Sequence, residues 1–342
     1  MQIEAQIELK EGFIVRPATM DDAEIVTNLL NACSQVMSGV NDHDVDETRT
    51  EWGSPDWKLE DSTRVVFAPN GDLAGYVEVW DNMPLPVNIW VWGRTHPDYE
   101  GEGVASYLMA WAEDRARQAV NRVPPDIRVA IGAGTPSTYA PAHRLLAGCG
   151  MEMKRSFYTM EIEFEGEVVQ TRWPAGITVR SYDGTDGDFR AILAAVNESF
   201  TDHWGFVEQP LDQTVSRWQH FISSDPDFDP ALWFIAMEGD NIAGMSLCYS
   251  KTTRDPQMGW VGTLGVRRPW RRKGVALALL HHSFAAFQGI GKQRAGLGVD
   301  ASSLTGATRL YEKAGMHVAR QFDRYEKVLR PGRDISTQSV DS

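Results

Sequence analysis

The stretch that decides the fold of this chain is Leu264-Gly265-Val266-Arg267-Arg268-Pro269-Trp270-Arg271-Arg272-Lys273-Gly274-Val275-Ala276. It has the pattern of a strand end, a turn with five cations, and the start of a helix. Residues 274–287 contain no proline and carry apolar side chains at helical spacing, which predicts a helix. The free N–H groups of a helix start and the positive end of its dipole favour phosphate binding. The small residues Gly274 and Ala276 let a ligand approach the backbone closely.

A second motif follows downstream. Val299-Asp300-Ala301-Ser302-Ser303 is typical of a strand end, and Ala307–Met316 predicts a short helix that carries Tyr311 and ends in a glycine turn at Gly315. Taken separately, a cationic run is often only a solvated surface, and a helical tyrosine is more often packed than catalytic. Their order and spacing together favour a functional site.

These two motifs resemble those of the GCN5-related N-acetyltransferases (GNAT). Arg271 to Ala276 matches the family's acyl-CoA signature, [QR]-x-x-G-x-[GA], and the Tyr311 segment resembles its last motif. The resemblance implies acetyl-CoA as co-substrate, direct acetyl transfer to an amine, and Tyr311 as general acid toward the CoA sulfur. It also implies a set of CoA-binding residues: Leu264, Gly265, Val266, Arg271, Arg272, Lys273, Gly274, Val275 and Ala276.

The general base stays open at this level. The second half of the chain is similar in layout to the two-domain mycothiol synthase-like acetyltransferases, in which a glutamate precedes the CoA turn. The corresponding position here is Trp260. Asp202 or Glu208, acting through water, and His203 are the alternatives. Aromatic residues within 197–233 are expected to shape the acceptor pocket, although part of this set belongs to the core.

Internal repetition predicts two domains. Ile14-Val15-Arg16-Pro17 opens the first half and Ile177-Thr178-Val179-Arg180 the second, and Arg144–Met151 matches Arg309–Met316. The fold prediction is therefore α/β, with two tandem GNAT-type domains, each a mixed, mostly antiparallel twisted sheet flanked by helices. We expect the domains at 1–165 and 176–330, a boundary near Gly166–Gly176, and a disordered tail at 331–342.

The two halves differ at the phosphate turn. Glu100 and Glu102 stand where the second half has Arg271 and Lys273, and Leu146 stands in place of Tyr311. Carboxylates repel a pyrophosphate, so we interpret the first half as a degenerate partner that shapes or supports the active one. CoA binding through its backbone amides alone is the alternative.

Composition narrows the function classes. The 342 residues carry a formal net charge of −14, which argues against nucleic acid or an anionic membrane as a partner. The three cysteines have no paired spacing, so no disulfide or metal site is expected, and no apolar run predicts a membrane span or signal peptide. These features favour a cytoplasmic protein, and the negative charge is compatible with a cationic acceptor such as an amine. Together with the resemblance, they lead us to expect an N-acetyltransferase that acts on a small-molecule amine. A protein or peptide N-acetyltransferase and a non-catalytic acyl-CoA-binding module remain alternatives, and the oligomeric state is left open.

Overall fold

A computed structural model describes residues 8–55, 57–166 and 171–339 and divides the chain into two compact units. The first unit comprises residues 1–155 and 322–335, and the second comprises 156–321 and 336–342. Part of the predicted boundary, residues 167–170, lies outside the described residues. Each unit is a mixed sheet with helices, which confirms the predicted fold class.

The first unit is built around a sheet in the order β1-β2-β3-β4-β5-β12, in which β12 is the strand His317–Arg330. Its neighbouring strands are antiparallel except for the parallel pair β4–β5. The elements of the first half of the chain are β1 (Ile14–Arg16), α1 (Ala23–Ser38), α2 (Val45–Trp52), α3 (Leu59–Ser62), β2 (Thr63–Phe67), β3 (Leu73–Trp80), β4 (Asn88–Thr95), α4 (Val104–Ala119), β5 (Val129–Pro136), α5 (Ala140–Gly148) and β6 (Glu152–Glu163).

The second unit repeats this plan with the order β6-β11-β10-β9-β8-β7, and here the parallel pair is β10–β11. The apolar face of its long helix α8 buries Val275, Leu279 and Phe287 in the core, as the helical spacing predicts. The elements of the second half are β7 (Thr178–Ser181), α6 (Asp186–Phe200), α7 (Leu211–Ser224), β8 (Trp233–Glu238), β9 (Asn241–Tyr249), β10 (Met258–Val266), α8 (Val275–Gly289), β11 (Arg294–Asp300), α9 (Ala307–Lys313) and β12 (His317–Arg330).

The last strand of each half belongs to the unit formed by the other half. In the first unit, residues 322–330 of β12 pair with β5, and in the second unit, residues 157–163 of β6 pair with β11. The structure therefore differs from the two contiguous domains predicted at 1–165 and 176–330. The apolar and polar pattern of a strand predicts that the strand forms but does not say which equivalent edge it joins.

The segment after β12 is ordered within the described residues. The N–H of Arg128 donates to the carbonyl of Arg333 at 2.9 Å, and Thr337 exchanges backbone hydrogen bonds with Gly205 and Phe206 at 2.7 and 3.0 Å. The tail predicted to be disordered is thus paired at 333 and 337, because its backbone finds hydrogen-bond partners that composition does not reveal. Residues 340–342 lie outside the described residues.

The internal repeat is visible in backbone geometry. The N–H of Met151 donates to the carbonyl of Leu146 at 3.0 Å, and the N–H of Met316 donates to that of Tyr311 at the same distance. Leu146 and Tyr311 are therefore structurally equivalent, as the sequence alignment of the two halves predicts.

Candidate acetyl-transfer site

The centre of the second unit is a gap between two parallel strands. β10 pairs with β11 only from Met258 to Val261, opposite Arg294 to Leu297. The register of β10 against β9 shifts between Val261 and Thr263, which places a bulge at Gly262. A cavity of about 270 Å³ lies at this place and is lined by residues of both strands, including Leu264 and Val299.

Backbone groups of β10 face the gap. The N–H of Arg267 donates to Ala243 of β9 at 3.0 Å, and successive residues of a strand point their backbone groups to opposite sides. Leu264 and Val266 therefore direct their N–H groups away from β9. Gly265 is required for packing. A Cβ at this position would lie 2.8 Å from the Met245 sulfur and 3.1 Å from Ser199. The lack of a side chain at Gly265 allows α6 to pack closely on β10.

Three of the five cations in the turn are held by the protein itself. Arg267 binds the Glu198 carboxylate at 2.8 Å, and Arg268 and Arg271 both form ion pairs with Asp202. Arg271 also donates to the carbonyls of Val266 and Ser199, each at 3.0 Å. These contacts give Arg271 a structural role, because they join the turn to the end of β10 and the end of α6. The same guanidinium was predicted to bind the pyrophosphate, so the two roles compete.

Arg272 and Lys273 remain available. Both side chains are exposed, and within the described part of the chain neither forms an ion pair or a side-chain hydrogen bond. They stand directly before the start of α8 at Val275. Their charge is therefore free to attract a phosphate group.

The backbone of the turn also suits an anion. Gly274 adopts φ +89° immediately before α8, and no side chain caps this helix start, so the first N–H groups of α8 lack an intrahelical partner. A Cβ at Gly274 would have only Pro174 nearby, at 3.9 Å, so the left-handed conformation rather than crowding favours glycine. Val275 is buried and fixes the helix in place, while Ala276 adds little bulk at the ligand-facing turn.

Tyr311 lies at the cavity with its ring in the core. The residue is 7% exposed and belongs to the hydrophobic cluster under α8. Within the described residues its hydroxyl has no hydrogen-bond partner, and burial raises its pKa to about 12. The phenol is therefore protonated at neutral pH and can donate its proton to a group in the cavity.

The structure separates the candidate bases. Two arginines hold the pKa of Asp202 at about 2, so this carboxylate is a very weak base. Glu208 is exposed and is not among the residues lining the cavity. His203 lines the cavity, packs against Phe200 with ring centroids 4.2 Å apart, and has its pKa lowered by burial. A neutral imidazole at pH 7 is a competent proton acceptor.

The aromatic residues proposed for the acceptor pocket divide into two groups. Phe200 and Trp204 line the cavity. Trp233 is fully buried, and Trp218 and Phe228 pack against its ring at centroid distances of 5.7 and 5.2 Å. This second group is core, a distinction that composition alone does not make.

The corresponding turn of the first unit keeps the backbone geometry with different charges. Gly101 and Gly103 have φ of +83° and +85°, matching the +62° and +89° of Arg272 and Gly274. Glu100 accepts a hydrogen bond from the Tyr139 hydroxyl, and Glu102 forms an ion pair with Lys10. A cavity of about 420 Å³ lies beside this turn and includes Leu146 where the second unit has Tyr311.

This combination of fold, divided strands and phosphate turn defines an acyl-CoA-dependent acetyltransferase. A family model described as the acetyltransferase (GNAT) family matches residues 24–150 and 191–316. The chain therefore belongs to the GNAT family, with two copies of its domain.

Individual relatives agree with this assignment. The chain is 27% identical over 261 residues to a mycothiol acetyltransferase of Streptomyces scabiei, covering 73% of this chain and 75% of the relative. It is 27% identical over 160 residues to the S-alkylcysteine N-acetyltransferase of Bacillus subtilis, covering 45% and 82%. A crystal structure of a GCN5-related N-acetyltransferase from Sphaerobacter thermophilus superimposes with a TM-score of 0.79 at 32% identity, covering 97% of this chain and all of that one.

The described residues contain neither a membrane-spanning helix nor a metal-binding cluster. Across 8–55, 57–166 and 171–339, no helix has the length and apolar character needed to cross a bilayer. In the same ranges, no group of three His, Cys, Asp or Glu side chains is arranged to hold a metal ion.

Proposed function

We propose that the second unit transfers the acetyl group of acetyl-CoA directly to the amine of a small molecule. The observation that carries this proposal is that one cavity is lined by three candidate groups: Tyr311, His203 and the open segment of β10 at Leu264. Acetyl transfer needs a proton acceptor, a proton donor and a surface that orients the thioester, and these groups supply each of them.

Binding of acetyl-CoA divides between the turn and the strand. The first N–H groups of α8, with Arg272 and Lys273, bind the pyrophosphate. The N–H groups of Leu264 and Val266 bind the extended pantetheine in the manner of an added strand. The main role of Arg271 is to hold the turn in place through its ion pair with Asp202, and not to bind the phosphate.

The reaction then needs two proton transfers, one away from the amine and one to the CoA sulfur. His203 accepts a proton from the amine as the nitrogen attacks the thioester carbon. The new carbon–nitrogen bond forms, the carbon–sulfur bond breaks, and Tyr311 donates its proton to the departing sulfur. Proton transfer by a positioned side chain is typically worth about 10²–10⁴ in rate.

The cavity and the relatives favour a small acceptor. A volume of about 270 Å³ bounded by Phe200 and Trp204 suits a metabolite-sized amine. The two curated relatives are named for mycothiol and S-alkylcysteine, which are small molecules. A protein or peptide acceptor, or acyl-CoA binding without turnover, are the competing functions.

The test is release of CoA thiol from acetyl-CoA in the presence of a panel of amines. The panel contains S-alkylcysteines, other amino acids, polyamines and short peptides, and every amine is also run with the Tyr311→Phe variant. Turnover with a small amine that Tyr311→Phe greatly reduces supports the proposal. Turnover with peptides alone supports a peptide acetyltransferase. Acetyl-CoA binding without turnover on any amine supports the binding module.

A further inference from the structure

A second cavity in the first unit has the chemistry of a cation site. It has a volume of about 350 Å³ and lies between α1, α2 and the strands β3 and β4. Four tryptophans line it: Trp52, Trp80, Trp90 and Trp92. Neither the acetyl-transfer site nor the family assignment accounts for this concentration of indole rings.

The register of two strands assembles the wall of this cavity. Glu78 on β3 lies directly opposite Trp92 on β4, and Trp80 lies opposite Trp90. These four side chains share one face of the sheet, since cross-strand partners project to the same side. This wall of the cavity therefore combines one carboxylate with three indole rings.

Glu78 is a buried carboxylate without a counterion. The residue is 5% exposed, and its oxygens accept hydrogen bonds from the Tyr76 hydroxyl at 2.5 Å and the Trp80 indole at 2.8 Å. Within the described residues, no cationic side chain forms an ion pair with it. Arg94 instead lies 4.7 Å from the Trp92 ring centroid. Hydrogen bonds orient the Glu78 carboxylate. Burial raises its pKa, and the charge of the nearby Arg94 opposes part of that shift.

The remaining ionisable groups at the cavity add negative rather than positive charge. Glu51 of α2 is a second carboxylate in the lining, and it too has no ion pair within the described residues. His43 is the one basic side chain in the lining, and burial lowers its pKa, so it is neutral at pH 7. The cavity thus offers two carboxyl groups and four indole rings, and one of these rings, that of Trp92, also contacts Arg94.

We propose that this cavity binds a small organic ammonium ion. Indole rings attract a desolvated cation through their negative faces, and ammonium ligands are held in this way by rings arranged around them. Glu78 and Glu51 supply the opposite charge, and the volume suits a ligand the size of a small metabolite. The site lies within the first unit and does not depend on acetyl transfer.

The test uses choline chloride and its uncharged isostere 3,3-dimethyl-1-butanol on the full chain without acetyl-CoA. Binding is followed by titration calorimetry and by tryptophan fluorescence, with sodium chloride as the ionic-strength control. We expect saturable binding of choline with a change in fluorescence, and at least about tenfold weaker binding of the alcohol, because the cation–indole attraction is lost.

Two variants test whether the ligand binds beside the carboxylates of this cavity. Glu78→Gln keeps the size of the side chain and removes its charge, so choline affinity should fall about tenfold or more while affinity for the alcohol is unchanged. Glu51→Gln, at the cavity edge, tests the same point if Glu78→Gln fails to fold. Asp46→Asn is the matched control, because Asp46 is an exposed residue of α2 that pairs with Arg49 and does not line the cavity.

The outcomes are distinct. Selective choline binding that weakens in the cavity variants and persists in Asp46→Asn supports the site. Equal binding of choline and the alcohol, no saturable binding of choline, or equal loss in all three variants overturns it. Because acetyl-CoA is absent, failure of this test leaves the acetyl-transfer assay unaffected.

Discussion

Arg271 and Asp202 form an ion pair that joins the turn before α8 to the segment after α6. Arg268 binds the same carboxylate, and Arg271 also donates to the carbonyls of Val266 and Ser199. The first arginine of the acyl-CoA signature therefore fixes the position of the turn. Asp202, a candidate base in the sequence, is instead its counterion.

Removing the Asp202 charge should destabilise the protein in a pH-dependent way. The pKa of Asp202 is lowered to about 2, from about 3.9 for an unperturbed aspartate, so its ion pairs stabilise the fold above pH 4. We expect Asp202→Asn to reduce the free energy of unfolding at pH 7 by on the order of 1 to 2 kcal/mol, allowing for the exposure of Arg268.

That difference should shrink as the pH falls from 4 toward 2, because wild-type Asp202 then becomes protonated in the folded state. Urea unfolding at several pH values measures it. Asp212→Asn, which breaks the exposed pair with Arg190, should have little effect at any pH. A loss for Asp202→Asn that is independent of pH would show that packing, not charge, is responsible.

Tyr311→Phe should lower kcat by about 10²-fold or more and leave acetyl-CoA affinity nearly unchanged, because only the proton donor is removed. Steady-state kinetics and calorimetry give the two quantities. Tyr182→Phe is the control, since Tyr182 packs in the core around Trp233 and does not line the cavity. If kcat of Tyr311→Phe stays within about twofold of wild type, the residue is packing and the assignment is wrong.

His203 should set the acidic limb of the pH–rate profile. Its pKa lies below the usual 6.5, so the base is neutral at pH 7 and activity should fall only as the pH drops below that usual value. Tyr311, with a pKa of about 12, should add no alkaline limb below pH 10.

We expect His203→Gln to reduce kcat by about 10²-fold and to abolish the acidic limb. The measurement is kcat against pH at saturating amine. His317→Gln, at an exposed position on β12, should keep the wild-type profile. An unchanged acidic limb in His203→Gln would assign the base to another group.

Binding of choline in the first unit should strengthen as the pH rises through 7. Glu51 keeps part of its surface in solvent, but desolvation of its carboxyl group at the cavity and the neighbouring Glu78 and Glu47 carboxylates raise its pKa to about 7, so Glu51 is partly protonated there. A bound cation favours the ionised form, and the nearby His43 is already neutral while Arg94 keeps its charge. Calorimetry at pH 6 and pH 8 should show tighter binding at pH 8, and Glu51→Gln should remove most of that difference. Equal affinity at both pH values in wild type would place the cation away from Glu51.

Local patterns in the sequence predicted much of the structure because their causes are local. The glycine and the apolar spacing after Lys273 predicted α8. Partners far away in sequence were not predictable. The exchange of β6 and β12 depends on which sheet edge each strand meets, and the role of Arg271 depends on Asp202, 69 residues earlier.

In the candidate site, too, some features follow from local sequence and others depend on residues far away in the chain. The spacing of the motifs places Tyr311 and the phosphate turn in one half of the chain. The choice of His203 over Asp202 and Glu208 needs burial and neighbouring charges, which only the folded structure supplies. The cation cavity of the first unit could not be predicted from the sequence for a similar reason. Its residues Glu51, Glu78 and Trp92 come from three different elements.

The central claim is that acetyl-CoA binds at the turn of the second unit only, and one matched pair of variants tests it most directly. Gly103 and Gly274 have φ of +85° and +89° at the starts of α4 and α8, and a Cβ meets nothing within 4 Å at the first and only Pro174 at 3.9 Å at the second. Aspartate at either position therefore imposes a similar backbone strain and the same charge on an equivalent turn.

Calorimetric titration with a non-hydrolysable acetyl-CoA analogue should give a stoichiometry near one for the wild type and for Gly103→Asp. Gly274→Asp should show no binding while retaining a cooperative unfolding transition. A wild-type stoichiometry of two, or binding that is lost in Gly103→Asp and kept in Gly274→Asp, would contradict the account.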